Sequence, residues 1–258
     1  MKNLYKHLKN KIKKFFKIIF FTSFKNTVYK IDKLSDKEII VDIHLGLGDI
    51  IILNGLINRL SKKYLINLPV LHQYANQVDY LFSENSNVKI FKVENKYEVA
   101  SYNQNFKILR IGYEKNESSF NTSFYKQLNL PYSVSFSDFY CPQNTILEQS
   151  LYDHLMNFYD VKNKFILVHN TSSYGSVNLS IKNNYPIVYV EKNSDIHSNI
   201  FLYRKLILNA AEIHCIDSSF LHLVERMESN GKLFFHNFKT QSTKAEHLVL
   251  NKKWSVIN

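Results

Sequence analysis

Apolar residues along most of the chain come in short blocks that alternate between two spacings. Residues 38–43 (EIIVDI) form a compact apolar run of strand type. The next segment, 49–64, repeats Leu53, Leu56, Ile57 and Leu60 at helical spacing. The alternation continues with predicted strands at 68–72, 88–93 and 107–111 and a helix at 74–82. A short helix at 123–128 ends before Leu130-Pro131, because the residue preceding proline is pushed out of the helical region. A second series starts near residue 145. It has helices at 146–159, 200–210 and 219–227, and strands at 164–169, 187–191, 213–216 and 232–235. Strands alternating with helices predict an α/β protein built on mostly parallel, doubly wound sheets. Two consecutive Rossmann-like halves account for the pattern most simply: an arm over 1–36, a first domain over 37–144 and a second over 145–258.

The arm has a different pattern. Leu4, Leu8, Ile12, Phe15, Phe16, Ile19 and Phe20 fall on one helical face, with Lys6, Lys9, Lys13 and Lys17 on the other. A basic amphipathic helix of this kind suits an anionic membrane surface. Docking on the protein's own fold or on a partner, and an RNA-binding arm, are the other readings. A secretory signal fits poorly: Lys17 interrupts the apolar stretch and no small-x-small cleavage site follows.

Charge sharpens this division. The 258 residues carry a formal net charge of +11, but residues 1–33 hold ten Lys against one acid, Asp32. The body is nearly neutral, which argues against a nucleic-acid-binding face. No run of eighteen uncharged apolar residues occurs, so no full membrane span is expected. Two cysteines, Cys141 and Cys215, cannot build a disulfide framework or a four-thiolate zinc site. They read as reduced thiols of a cytosolic protein, with Cys215 in a buried strand.

Three strand-to-helix loops could carry chemistry. In Ile43-His44-Leu45-Gly46-Leu47-Gly48-Asp49 two glycines allow a tight turn and close backbone approach, and Asp49 stands at the helix start. Asp49 could cap the helix or accept a proton from a substrate hydroxyl. The dinucleotide fingerprint is absent, since position 51 is Ile, and no P-loop Gly-Lys-Ser/Thr follows. In the second loop Asp217 or Ser218 can cap, and the N–H groups after Ser218, the Ser218 and Ser219 hydroxyls and His222 could converge on a phosphate. An ordinary capped helix accounts for the same residues. The third loop, 168–175, is rich in hydroxyls, and Thr171 and Ser172 there could touch phosphate or sugar.

Taken together, Gly46–Asp49 after a strand, Asp217-Ser218 with His222-Leu223 after another, and the intervening 124–132 (FYKQLNLPY) resemble the GT-B glycosyltransferases. The resemblance is closest to the heptosyltransferase-like family acting on bacterial surface polysaccharides, and it runs in order over residues 38–240. It implies two lobes facing across a cleft and inverting, metal-independent sugar transfer without a cofactor, the nucleotide-sugar being a substrate. It implies an acceptor, a glycan or a lipid-linked one, beside His44, Gly46 and Gly48, with Asp49 as base. Asp217, Ser218, Ser219 and His222 would hold the donor, aided by Thr171 and Ser172. Where the family has a Lys near 170–175, this chain offers Lys182 and Arg204. Glu191, at a strand end, could contact a ribose hydroxyl, and a solvated strand end accounts for it equally. Ser218-Ser219 stands in place of the family's Thr-Gly, and the second half is shorter. The absence of any Asp-x-Asp pair agrees with metal-independent transfer. The location implied is cytoplasmic, peripheral at the inner membrane face, in polysaccharide biosynthesis. Two alternatives are a non-catalytic GT-B-like module binding nucleotide or glycan, and a dinucleotide-dependent oxidoreductase. The missing third glycine counts against the latter.

Overall fold

The computed structural model describes residues 26–96, 98–99, 106–112, 119–172, 175–238 and 248–258. The amphipathic helix expected within 1–25 lies outside them. No described helix is long and apolar enough to cross a membrane.

The first sheet is formed by β1 (Thr27–Val28), β2 (Glu38–Asp42), β3 (Leu65–Leu71), β4 (Val88–Val93) and β5 (Lys107–Arg110). Its order is β1-β5-β2-β3-β4, and every neighbouring pair is parallel. The chain turns away from β2 in both directions, so a switch point opens between β2 and β5. Both faces are covered. Ile39 and Val41 join one core cluster and Ile40 joins another with Phe91, Val93 and Ile108. That is the alternation expected of a strand buried on both sides.

The second sheet contains β6 (Ile166–His169), β9 (Ile187–Tyr189), β10 (Glu212–Cys215), β11 (Lys232–His236) and β12 (Trp254–Ile257). Its order is β9-β6-β10-β11-β12, again parallel throughout. Its switch point lies between β6 and β10. A small antiparallel hairpin, β7 (Thr171–Ser172) with β8 (Gly175–Ser176), stands just beyond β6. Only one face of this sheet joins the main core, through Leu167, Val188, Ile213, Cys215, Leu233 and Phe235.

The helices are α1 (Leu47–Ser61), α2 (Ala75–Leu81), α3 (Phe120–Gln127), α4 (Val134–Ser137), α5 (Thr145–Phe158), α6 (Arg204–Asn209) and α7 (Ser219–Val224). The single helix expected over 200–210 is entered by a 3₁₀ turn, Ile200–Tyr203, where the Asn199 side chain accepts the Phe201 N–H. The edge strands β1 and β12, the hairpin and α4 were not legible in the pattern. Each is short or largely exposed, so it carries no apolar period.

Helix α1 joins the two sheets. The sequence predicts one apolar face, but Leu47, Ile50, Ile51, Ile52, Leu53, Leu56, Ile57 and Leu60 are all buried. The helix is enclosed because α4 and α7 pack on the side that a surface helix would show to water. Gly55 permits this: a β-carbon there would stand 2.3 Å from the Val134 carbonyl oxygen. The Ile52 carbonyl oxygen accepts from the hydroxyls of Tyr125 and Ser135, each at 2.7 Å. Arg226, just past α7, donates to the Ser135 hydroxyl and to the His222 carbonyl oxygen. A single cluster of apolar side chains runs from β2 through α1 to β11.

Candidate functional site

The chain carries its polar loops at the carboxyl ends of the central strands, where open α/β sheets leave a crevice. After β2, Gly46 takes the N-cap position of α1. Asp49 is therefore the third helical residue, not the cap itself as the sequence suggested. Its carboxylate folds back over the turn and accepts a hydrogen bond from the Gly46 backbone. A β-carbon on Gly46 would meet that carboxylate at 2.7 Å. This is one half of a capping box, with glycine as the other partner.

The second loop forms the facing elbow. Ser218 is the N-cap of α7, and its hydroxyl oxygen accepts the Leu221 N–H at 3.4 Å. The two elbows touch. A β-carbon on Gly48 would lie 3.4 Å from the His222 ring, 3.6 Å from Ser219 Cα and 3.8 Å from Ser219 N. Two helix N-termini thus meet, and their partial positive charges favour anions between them. The carboxylates of Asp49 and Asp217 supply negative charge at this meeting point.

Asp49 is poised for proton transfer. Burial in the elbow pushes its pKa from 3.8 up to about 6, and the charge of Asp217 adds to the rise. His44 and the Gly46 hydrogen bond oppose it. A carboxylate near pH 6 is far more basic than an exposed one and still ionised at neutral pH. His44 is held by its Nε2 at 2.8 Å from the Gly112 carbonyl oxygen, against the rings of Phe120 and Phe124. Below it, Arg110 donates to Asp42 at 2.7 Å in a buried ion pair that closes the base of the β2–β5 crevice.

On the other side, His169 at the end of β6 lies 3.0 Å from the Ser218 hydroxyl through Nδ1 and 3.4 Å from the Thr171 hydroxyl through Nε2. Burial lowers its pKa to about 4, so the ring is neutral. His222 is likewise buried, with its pKa lowered to about 3 by desolvation and by Arg226, and its Nε2 is 3.8 Å from Asp217. Both imidazoles act as neutral hydrogen-bonding groups at neutral pH.

The structure gathers His44, Gly46, Gly48, Asp49, Asp217, Ser218, Ser219 and His222 around the joined elbows, with Thr171 beyond His169. Ser172, in the same hairpin, and Glu191 lie farther out along the second sheet's carboxyl edge. Glu191 is exposed and accepts from the Tyr159 hydroxyl at 3.0 Å. Two of the expected donor residues stand apart from the elbows. Arg204 is a structural tie: its guanidinium donates to the Cys141 carbonyl oxygen at 2.9 Å and pairs with buried Glu148 at 3.5 Å. Lys182 lines a cavity beside Glu212 and His214, whose side chains leave the sheet on the face opposite α7. His169 was missed as a site residue. It ends an apolar strand, and only the packing brings it to Ser218.

No protein-family model matches the chain, and no curated protein matches it in sequence. Among solved structures it is similar to the glycosyl transferase family 9 protein of Veillonella parvula DSM 2008. The TM-score is 0.52 over 80% of this chain and 81% of that one, with 8% sequence identity. At that identity the likeness is one of fold.

Proposed function

We propose that the protein is a glycosyltransferase of GT-B type that moves a sugar from a nucleotide-activated donor to a hydroxyl of a glycan or lipid-linked acceptor. The observation that carries this reading is Asp49, held at an elbow packed against a second elbow of hydroxyls and helix N–H groups, with its pKa raised to about 6. The fold shared with a glycosyl transferase family 9 protein supports it.

In this reading the acceptor lies along the first elbow, near His44, Gly46 and Gly48. Asp49 takes the proton of the attacking hydroxyl. The acceptor oxygen bonds to the anomeric carbon from the side opposite the leaving group, and the bond from that carbon to the diphosphate oxygen breaks. Configuration is inverted. The charge released on the diphosphate is met by the first N–H groups of α7 and by the hydroxyls of Ser218, Ser219 and Thr171, groups oriented before the reaction starts. His169 fixes the Ser218 hydroxyl. The arm over 1–25 would hold the protein beside a lipid-linked acceptor at the cytoplasmic face of an anionic membrane.

One observation favours a second reading, a module that binds nucleotide or glycan without turnover. Of the cations expected beside the diphosphate, Arg204 is tied to Cys141 and Glu148, and Lys182 stands at a cavity beside Glu212 and His214. A panel of nucleotide-sugars assayed for nucleotide release, with calorimetry of the matching diphosphates, separates the two. Release abolished by Asp49→Asn supports transfer. Diphosphate binding with no release on any acceptor supports the module. Release unchanged in Asp49→Asn overturns the assignment of the base.

A further inference from the structure

The second sheet turns one face away from the core. Glu212 and His214 of β10 point to that side, in register with Lys232 and Phe234 of β11, and His236 is the next β11 residue on the same side. The loop ahead of β9 crosses this face with Ser180, Lys182, Asn183 and Asn184, and together these residues line a cavity of about 550 Å³. That volume lies within the range of small-molecule sites.

The cavity wall contains an ordered chain of hydrogen bonds. Asn183 donates its amide to Glu212 Oε1 at 2.9 Å. Glu212 Oε2 lies 3.3 Å from His214 Nε2, so that nitrogen carries a proton and donates. His214 Nδ1 is then an acceptor, and His236 Nε2, at 2.8 Å, must donate to it. The ring of His214 stacks on Phe234 at 4.5 Å, which fixes its orientation. Both carboxylate oxygens of Glu212 are thus committed within the wall. The last ring nitrogen, His236 Nδ1, bonds to no described residue. Lys182 is exposed at the cavity's edge.

We propose that this cavity is a second ligand site, separate from the elbow crevice, that takes a small anion with an apolar or planar body and takes up a proton as it does so. Lys182 attracts the anionic group, Phe234 and Ile257 receive the apolar body, and His236 supplies the linkage. Protonated at Nδ1, His236 donates to the anion. Its Nε2–H still donates to His214, whose Nε2–H still donates to the ionised Glu212. The new positive charge therefore gains the ligand on one side and a carboxylate at the far end of the chain.

Without a ligand, burial and the neighbouring His214 hold the His236 pKa down at about 4, and burial lowers that of His214. The charged and titratable groups on the face of His236 are Glu212 and His214 on β10, Lys232 on β11, Tyr189 on β9 and Lys182 on the loop, with Lys164 beyond, over the Tyr185 ring. The residues of β12, Trp254–Ile257, carry no titratable side chain. An anion raises the histidine pKa, so affinity must increase as pH falls toward the value of the empty site. The limit is about tenfold per pH unit for one proton taken up.

The test is isothermal titration calorimetry of the whole chain with benzenesulfonate, whose charge does not change across the range. Titrations run at pH 5.5, 6.5 and 7.5, in two buffers of unlike ionisation enthalpy. The expected result is tightening by at least about threefold per pH unit on acidification, with net proton uptake and no binding of neutral benzyl alcohol. Lys182→Ala, an exposed substitution, should weaken binding at least about fivefold at every pH, and His236→Asn should remove the pH dependence. The proposal is overturned by no binding, by binding without proton uptake, or by equal binding in Lys182→Ala. If His236→Asn fails to fold, proton uptake by the native chain and the Lys182→Ala result decide the matter.

Discussion

His169 and Ser218 lie 49 positions apart in sequence and 3.0 Å apart in the fold. Their contact spans the switch point between β6 and β10. The Ser218 oxygen accepts the Leu221 N–H, and the His169 ring bonds Ser218 through Nδ1 and Thr171 through Nε2. One imidazole thereby ties both hydroxyls together. Ser218→Ala removes the cap of α7 and this link together. We expect it to cost about 1 kcal/mol in urea unfolding and to weaken nucleotide binding in calorimetry.

Asp49→Asn separates stability from activity. The folded-state pKa of Asp49 is raised, so the native protein binds this proton more tightly than the unfolded chain does. Stability therefore declines as pH rises from about 4 to about 6, and the full cost is present at neutral pH. Asparagine removes that cost and can still accept the Gly46 hydrogen bond. The melting temperature at pH 7.5 should rise by about 2–6 °C while transfer falls by about 10²–10⁴-fold. For the proposed transfer the native rate should fall on the acid side through about pH 6, where the carboxylate is protonated.

Gly55→Ala tests the enclosure of α1. The added carbon would meet the Val134 carbonyl oxygen at 2.3 Å, a backbone atom that cannot rotate away. A loss of about 1–3 kcal/mol is expected in chemical denaturation, against the gain that alanine brings to an open helix.

Arg110→Ala leaves the Asp42 carboxylate buried, with desolvation already raising its pKa against the pull of Arg110. Stability should fall by about 3–5 kcal/mol at pH 7.5. Asp42 protonates more readily once Arg110 is gone, so the deficit should shrink toward pH 5. Denaturant midpoints of native and variant chains at the two pH values check this.

Deletion of residues 1–25 should remove sedimentation with vesicles of anionic lipid and leave the melting temperature of the remainder within about 2 °C. Undiminished sedimentation would reject the membrane role of the Lys- and Phe-rich arm.

Much of the fold was legible because its core strands are apolar runs and its helices follow apolar periods. The 88–93 strand appears with the bounds expected, and the elbows at Gly46–Asp49 and Asp217–Ser219 were marked by glycine, carboxylate and hydroxyl at strand ends. Residues whose role depends on a distant neighbour were not legible. In the sequence Arg204 is an available cation, whereas in the fold Cys141 and Glu148, 63 and 56 positions away, bind it.

Local sequence thus determined where the chain extends, where it coils and which turns carry polar groups, because each depends on residues within a few positions of one another. Tertiary structure alone decided that the two elbows touch, that α4 and α7 both pack on α1, and that a cavity lies beside Glu212 and His214 with Lys182 at its edge. Strand alternation sorts side chains onto two faces. What covers each face is set by chain segments far away in sequence, and their packing leaves no trace in the local pattern.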